Sequence, residues 1–207
     1  SSNVTGVQTC ALPICYGRIP DYSNFQPAPW AKHRAEIKSI VIGSGITSIG
    51  EYAFAGSSAL TSVQIPAGVT QIEDYAFANC SALPAITLPI GVTEIEEGVF
   101  LNCSSLRSVT LPQGMRKVGD GAFANCTSLP SITLPLGLRE IEKGAFSGCT
   151  SLASVSFPAA GLTDIDEGAF YGCTALKAAT LPLGLREIDK NAFWGCTSLT
   201  NVSIPAS

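Results

Sequence analysis

Phenylalanine recurs at Phe54, Phe77, Phe100, Phe123, Phe146, Phe170 and Phe193, a step of 23 residues everywhere except for one step of 24. A fixed period of this length constrains the chain more than any other feature. Each unit is too short to bury an apolar face alone, so the units must stack and share a core that grows along one axis. The 207 residues therefore count rungs of a solenoid rather than globular domains.

Aligned on Phe, the same columns return in each copy. Ala or Val comes just before it, Cys three after, Leu six after, a β-branched residue nine after, an aliphatic or Phe eleven after and Pro twelve after. Cys126, Leu129, Ile132, Leu134 and Pro135 thus follow Phe123. Triplets such as Val109-Thr110-Leu111 alternate with the period of a strand buried on one face. The proline that follows cannot donate to a ladder and ends the strand. Next comes a turn carrying Gly68, Gly91, Gly114, Gly137, Gly161 and Gly184, where glycine predicts a backbone of positive φ. A second extended piece leads to Ile49, Ile72, Ile95, Val118, Ile141, Ile165 and Ile188. Acids such as Glu96-Glu97 or Asp166-Glu167 then open a short helical or 3-10 turn into Phe, where a partial positive charge favours them.

Seven such rungs fill residues 38–207, and the array is expected to be truncated at its C-terminal side. Ahead of it, Val4-Thr-Gly-Val-Gln-Thr-Cys-Ala-Leu-Pro-Ile14 has none of the columns. It resembles the conceptual translation of a common DNA-sequencing adapter. Residues 1–15 are accordingly read as a non-native, disordered leader to be left out of fold reasoning, Cys10 included. Residues 16–37 read as a capping segment: Pro27 and Pro29 give an extended entry, helix formers follow, and Trp30 with Ile37 is suited to lie across the first rung.

The pattern Cys-x-x-Leu-x-x-Val/Ile-x-Leu-Pro-x-Gly-Val/Leu-x-x-Ile-x-x-x-Ala-Phe resembles the BspA-like leucine-rich repeats of bacterial surface and secreted proteins, over residues 38–205. Ser57 in place of the first Cys, Ala179 in place of a β-branched residue, and the extra residue at Ala159-Ala160 are the departures. The resemblance implies a leucine-rich repeat solenoid, β-dominated, right-handed, with a curved parallel sheet and a short helical or 3-10 turn per 23-residue rung. It also implies an extracellular or cell-surface location and a role in adhesion or protein–protein contact.

Composition narrows function further. Hydrophobic residues are 46% and charged residues 14% of the chain, the balance of an ordered protein with a quiet surface. A net charge of −4 offers no basic footprint for nucleic acid or anionic membrane. No apolar run reaches the roughly 18 residues of a membrane span. Catalysis finds no footing: His33 is the single histidine and no nucleophile motif surrounds it. Gly43-Ser-Gly45 lacks the spacing of a nucleotide loop, and the sequons at Asn79, Asn102 and Asn125 are written by the repeat itself.

Three columns remain as candidates for chemistry. Cys80, Cys103, Cys126, Cys149, Cys173 and Cys196 lack paired zinc spacing. Their parallel side chains point the same way rather than at one another, so they read as buried small hydrophobes. Glu73, Glu96, Glu142, Asp166 and Asp189 form an acidic column that could supply oxygen ligands to calcium, but Gly119 interrupts it and Lys143 and Lys190 flank it. A solvated edge is the simpler reading. The outward strand positions make a flat hydroxyl face, and the candidate binding residues are Ser62, Gln64, Thr87, Ser108, Thr110, Ser131, Thr133, Ser154, Ser156, Thr180, Asn201 and Ser203. Threonine at rung spacing invites ice binding or glycan stacking, yet threonine is also simply a good strand residue. No cofactor is expected. The expected function is a non-enzymatic module recognising a protein or glycan. An accessory array of a cell-wall or polysaccharide-degrading enzyme, or a passive spacer, would use the same rungs.

Overall fold

The computed structural model describes residues 16–23 and 25–205 together with the backbone of Val7–Gln8. Two ladders of short parallel strands run its length. The first consists of Ser39–Val41, Ser62–Gln64, Ala85–Thr87, Ser108–Thr110, Ser131–Thr133, Ser154–Ser156, Ala178–Thr180 and Asn201–Ser203. The second consists of Ile46–Ile49, Gln71–Ile72, Glu94–Ile95, Lys117–Val118, Glu140–Ile141, Asp164–Ile165 and Glu187–Ile188. Register follows the repeat, as in Ser39↔Ser62 and Val118↔Ile141, and absorbs the longer step at Ile141↔Ile165.

Between the ladders the columns converge on one apolar core. Phe54, Phe77, Phe100, Phe123, Phe146 and Phe170 are fully buried. Their rings stack face to face, with centroids 5.3 Å apart from Phe100 to Phe170. Dispersion between such rings adds to the area they bury. Trp30, 24 positions before Phe54, continues this spine ahead of the first rung. Its ring stacks on Phe54 at 5.5 Å and its indole N–H donates to the Ala53 carbonyl at 2.8 Å. Tyr22 meets Trp30 edge-on, and Gly17–Ile19 pairs with Ile46–Ile49.

Val7–Gln8, inside the leader read as extraneous, forms a parallel strand beside Ser39–Val41, Val7 opposite Ile40. An unpaired edge accepts any extended backbone whatever its side chains. The other residues of 1–15, Cys10 among them, lie outside the described residues.

The first ladder is not uniform. Its strands hydrogen-bond two by two: Ala85–Thr87 with Ser108–Thr110, Ser131–Thr133 with Ser154–Ser156, and Ala178–Thr180 with Asn201–Ser203. At two of the three breaks the cause lies at the residue entering the strand. Thr61, Arg107 and Ala153 donate their N–H to the preceding rung, at 2.8, 2.8 and 2.9 Å. Pro84 and Pro130 hold the same place in the alternate rungs and have no N–H to give. The third interruption falls at the 24-residue step.

The turn carrying Phe departs from a helix in an informative way. N–H groups alternate between a local i→i+3 closure and the next rung: Ala76, Ala78 and Cys80 bond to Glu73, Tyr75 and Phe77, whereas Tyr75, Phe77 and Asn79 bond to Glu97, Val99 and Leu101. Such alternation requires left-handed residues two before and two after each Phe. Those places hold Tyr75 and Asn79, Gly98 and Asn102, Gly121 and Asn125, or Gly144 and Gly148, all at φ near +60 to +70°. The expected positive φ at the glycines after the proline occurs only at Gly161 and Gly184. At Gly137 the requirement is close approach instead, since a Cβ there would sit 2.9 Å from the carbonyls of Gln113 and Met115 one rung back.

Candidate binding surface

Along the first ladder the pleat sends alternate side chains outward. Ser62, Gln64, Thr87, Ser108, Thr110, Ser131, Thr133, Ser154, Ser156, Thr180, Asn201 and Ser203 are all exposed, with Ala85 and Ala178 completing the rows. Pairing brings Thr87 opposite Thr110, Ser131 opposite Ser154, Thr133 opposite Ser156 and Thr180 opposite Ser203. The result is an uncharged field of hydroxyl donors and acceptors at rung spacing, stepped every second rung by the missing ladder bonds.

The thiol column sits on the opposite side of the chemistry. All six cysteines are free and buried. Each Sγ–H donates to the Phe carbonyl of the preceding rung, as Cys103 to Phe77 at 3.3 Å, Cys126 to Phe100 at 3.3 Å and Cys149 to Phe123 at 3.1 Å. Burial pushes the Cys103 and Cys149 thiols up to about 12, and Cys80 and Cys126 upward as well. Thiolate, the nucleophilic and metal-binding form, is thereby suppressed at neutral pH. The sequence signalled the packing of these residues but not their acceptor, which belongs to another rung.

Ser57 holds the thiol position in the first rung. The carbonyl in the corresponding place, that of Trp30, takes the His33 N–H, and the buried Ser57 hydroxyl has no hydrogen-bond partner.

The acidic column is organised by one cation. Lys117 Nζ lies 3.3 Å from Glu96, 3.7 Å from Glu142 and 3.8 Å from Glu94. Burial alone would lower the lysine pKa, but Glu96, Glu142 and Glu94 hold it raised. Burial raises Glu73, Glu142 and Asp166, the last also through Asp164 and Asp120. Lys143 and Lys190 both meet Glu167, at 3.2 and 3.4 Å. Among the described residues no three His, Cys, Asp or Glu side chains are grouped to hold a metal ion, and no helix is long and apolar enough to cross a membrane. His33 is exposed on the short 3-10 helix Ala31–His33, with Nδ1 3.6 Å from Glu36.

Two further arrays escaped the sequence reading. Asn102 and Asn125 donate side-chain N–H groups to Asn79 and Asn102, both at 2.9 Å, forming an amide ladder. Tyr52 stacks on Tyr75 and Tyr171 on Trp194, at 5.0 and 4.8 Å. The 23-residue recurrence of Asn was the available signal for the first.

A parallel β-solenoid with these columns defines a leucine-rich repeat protein. The BspA-type leucine-rich repeat region matches residues 31–135 and 93–207, in six copies, and the chain belongs to this family. No curated protein sequence matches it. Among solved structures, a T. pallidum leucine-rich repeat protein is similar at 28% identity and a TM-score of 0.66, over 80% of this chain and 85% of that one. The pneumococcal vaccine antigen PcpA is similar in fold at 22% identity and a TM-score of 0.52, over 81% of this chain and 50% of that one.

Proposed function

We propose that the array is a non-enzymatic recognition module of a larger secreted or surface bacterial protein, contacting a protein or glycan through the outward face of the three-residue strands. One observation carries this reading: every outward position of that face from Ser62 to Ser203 is exposed, and none bears a charge. Such a surface is cheap to desolvate and presents hydroxyls in register, so it can bond a polar ligand at many points without burying an unpaired charge. The family supports the surface location, and burial that raises the Cys80, Cys103, Cys126 and Cys149 thiols disfavours a thiolate nucleophile at those positions. The test is a panel of immobilised bacterial and host glycans and matrix proteins, read with the wild-type chain and a Thr110→Lys/Thr133→Lys variant. Binding weakened about tenfold or more by the variant, with its melting temperature unchanged, is expected. No binding anywhere on the panel indicates a spacer, and binding indifferent to the variant moves the site off this face.

A further inference from the structure

The breaks in the first ladder leave backbone groups without partners. In the rungs that pair forward, the residue after the strand donates its N–H to the next rung: Ile42 to Gln64, Leu88 to Thr110, Leu134 to Ser156 and Leu181 to Ser203, at 2.9 to 3.1 Å. Ile65, Leu111 and Phe157 hold that place before the three breaks, and among the described residues their N–H groups have no hydrogen-bond partner. By the repeat each would reach the carbonyl of Thr87, Thr133 or Thr180. Leu111 is only 8% exposed, and a donor orphaned at such a position calls for an acceptor from outside the chain.

The same breaks uncover apolar surface. Val63, Val109 and Val155, the inward residues of the strands ahead of the breaks, are half-buried, whereas Ile40, Ile86, Ile132 and Ala179 in the strands that pair forward are buried. Each break is therefore a slot with an N–H on one lip, a carbonyl on the other and a valine flank between them. Exposed hydroxyls, Thr110 and Thr133 at the middle break, stand on its rims.

Water can bridge the two lips but gains nothing from the valine. A sugar ring uses both features, since one hydroxyl accepts from the N–H while donating to the carbonyl, and the C–H face of the ring lies against the methyl groups. No outward position is charged, which suits a neutral sugar.

Spacing then selects the linkage. Paired strands lie about 4.8 Å apart, so successive slots, two rungs apart, recur about every 10 Å. In an extended β-1,4-linked glycan each sugar is turned over relative to the last, and equivalent hydroxyls return every second sugar, a repeat of the same length. Sugars one, three and five of such a chain meet the three slots in turn, whereas a coiled β-1,3-linked chain loses step. An extended peptide repeats its face about every 6.8 Å. A polyproline helix repeats about every 9.3 Å, but it docks in aromatic-lined grooves, and no outward position of this face is aromatic.

We infer that the three ladder breaks form one binding site for a neutral, extended β-1,4-linked glycan lying along the solenoid axis, read every second sugar by the amides of Ile65, Leu111 and Phe157. The inference rests on the proposed recognition role of the hydroxyl face and names the ligand class and the groups that read it.

The experiment titrates the full chain with cellohexaose, chitohexaose, cellobiose and laminarihexaose by calorimetry and follows amide exchange. At least one of the two β-1,4-linked hexaoses should bind about tenfold or more tighter than cellobiose, and laminarihexaose should not bind. The bound hexaose should slow exchange at Ile65, Leu111 and Phe157 above other amides of the face. Pro84→Ala/Pro130→Ala restores two N–H groups; it should close two slots, slow Leu111 exchange without ligand, and weaken the hexaose about tenfold or more with the melting temperature unchanged or raised. Equal binding of laminarihexaose, or a hexaose no tighter than cellobiose, overturns the spacing argument. Leu111 exchange indifferent to the hexaose means that the slots hold water only and overturns the inference. Failure of both hexaoses, while a protein of the panel binds and is lost in Thr110→Lys/Thr133→Lys, overturns it and leaves the recognition role standing; no binding of any kind defeats both.

Discussion

Ser57→Ala should stabilise the protein, although it removes a polar atom from a position where six other rungs carry a hydrogen-bonding group. The hydroxyl is fully buried and unpartnered, and an orphaned buried donor costs about 1–3 kcal/mol. Removing one oxygen leaves a void of roughly 10 Å³, which at about 24 cal/mol per Å³ costs about 0.2 kcal/mol. The net expectation is a gain of about 1–2 kcal/mol, or about 2–4 °C per kcal/mol in melting temperature for a chain of this size. Repeat arrays need not unfold in one step. Amide exchange of Phe54, Gly56 and Leu60 should therefore be followed alongside calorimetry, and should slow in the variant. The contrast is Cys126→Ser. The thiol reaches Phe100 O at 3.3 Å, and a hydroxyl on its shorter bond would sit too far for the usual O–H···O distance near about 2.8 Å. That change should cost about 1–2 kcal/mol. A loss of stability in Ser57→Ala, or no loss in Cys126→Ser, would refute the idea that the preceding rung's carbonyl is what makes this column work.

Other consequences can be checked in parallel. Asp166, raised in the folded state by burial and by Asp164 and Asp120, binds its proton more tightly folded than unfolded. Stability should thus fall as pH rises from the ordinary value of 3.8 through the raised one, and Asp166→Asn should raise the melting temperature at pH 7 and flatten that dependence in thermal scans. Lys117→Met should cost about 1 kcal/mol at pH 7 by leaving Glu96 and Glu142 unopposed, and less in 1 M salt; an unchanged urea midpoint would show that the triad contributes nothing. Gly137→Ala should destabilise by about 1–3 kcal/mol because the added Cβ meets carbonyl oxygens of the preceding rung, whereas Gly114→Ala, with nothing within 4 Å, should be tolerated in the same urea titration. Amide exchange should be fastest from Phe193 onward, where Val202 and Ile204 are exposed, and slowest between Cys103 and Leu152, where the core columns are buried.

Much of this protein is written in one dimension. The Phe period, the Cys and Leu columns and the strand triplets predict a stacked parallel solenoid because each is a local pattern repeated at a fixed interval, and stacking turns interval into contact. Trp30 was singled out by its place ahead of the first rung, where the end of a stacked core must be covered, whereas its stacking on Phe54 came only from the structure. What the sequence could not supply were relations between rungs. The glycines after the proline looked like left-handed positions, but backbone geometry moved that demand to the residues flanking Phe, where N–H groups alternate between local and inter-rung acceptors. The cysteines looked like plain hydrophobes because their acceptor lies 26 or 27 positions upstream. Pro84 and Pro130 stand outside the recurring columns, yet by withholding one N–H each they coincide with two of the three breaks in the first ladder. Only in three dimensions does that two-rung step line up the unpaired amides of Ile65, Leu111 and Phe157, since residues 46 positions apart come into one row solely through the stacking of the rungs between them.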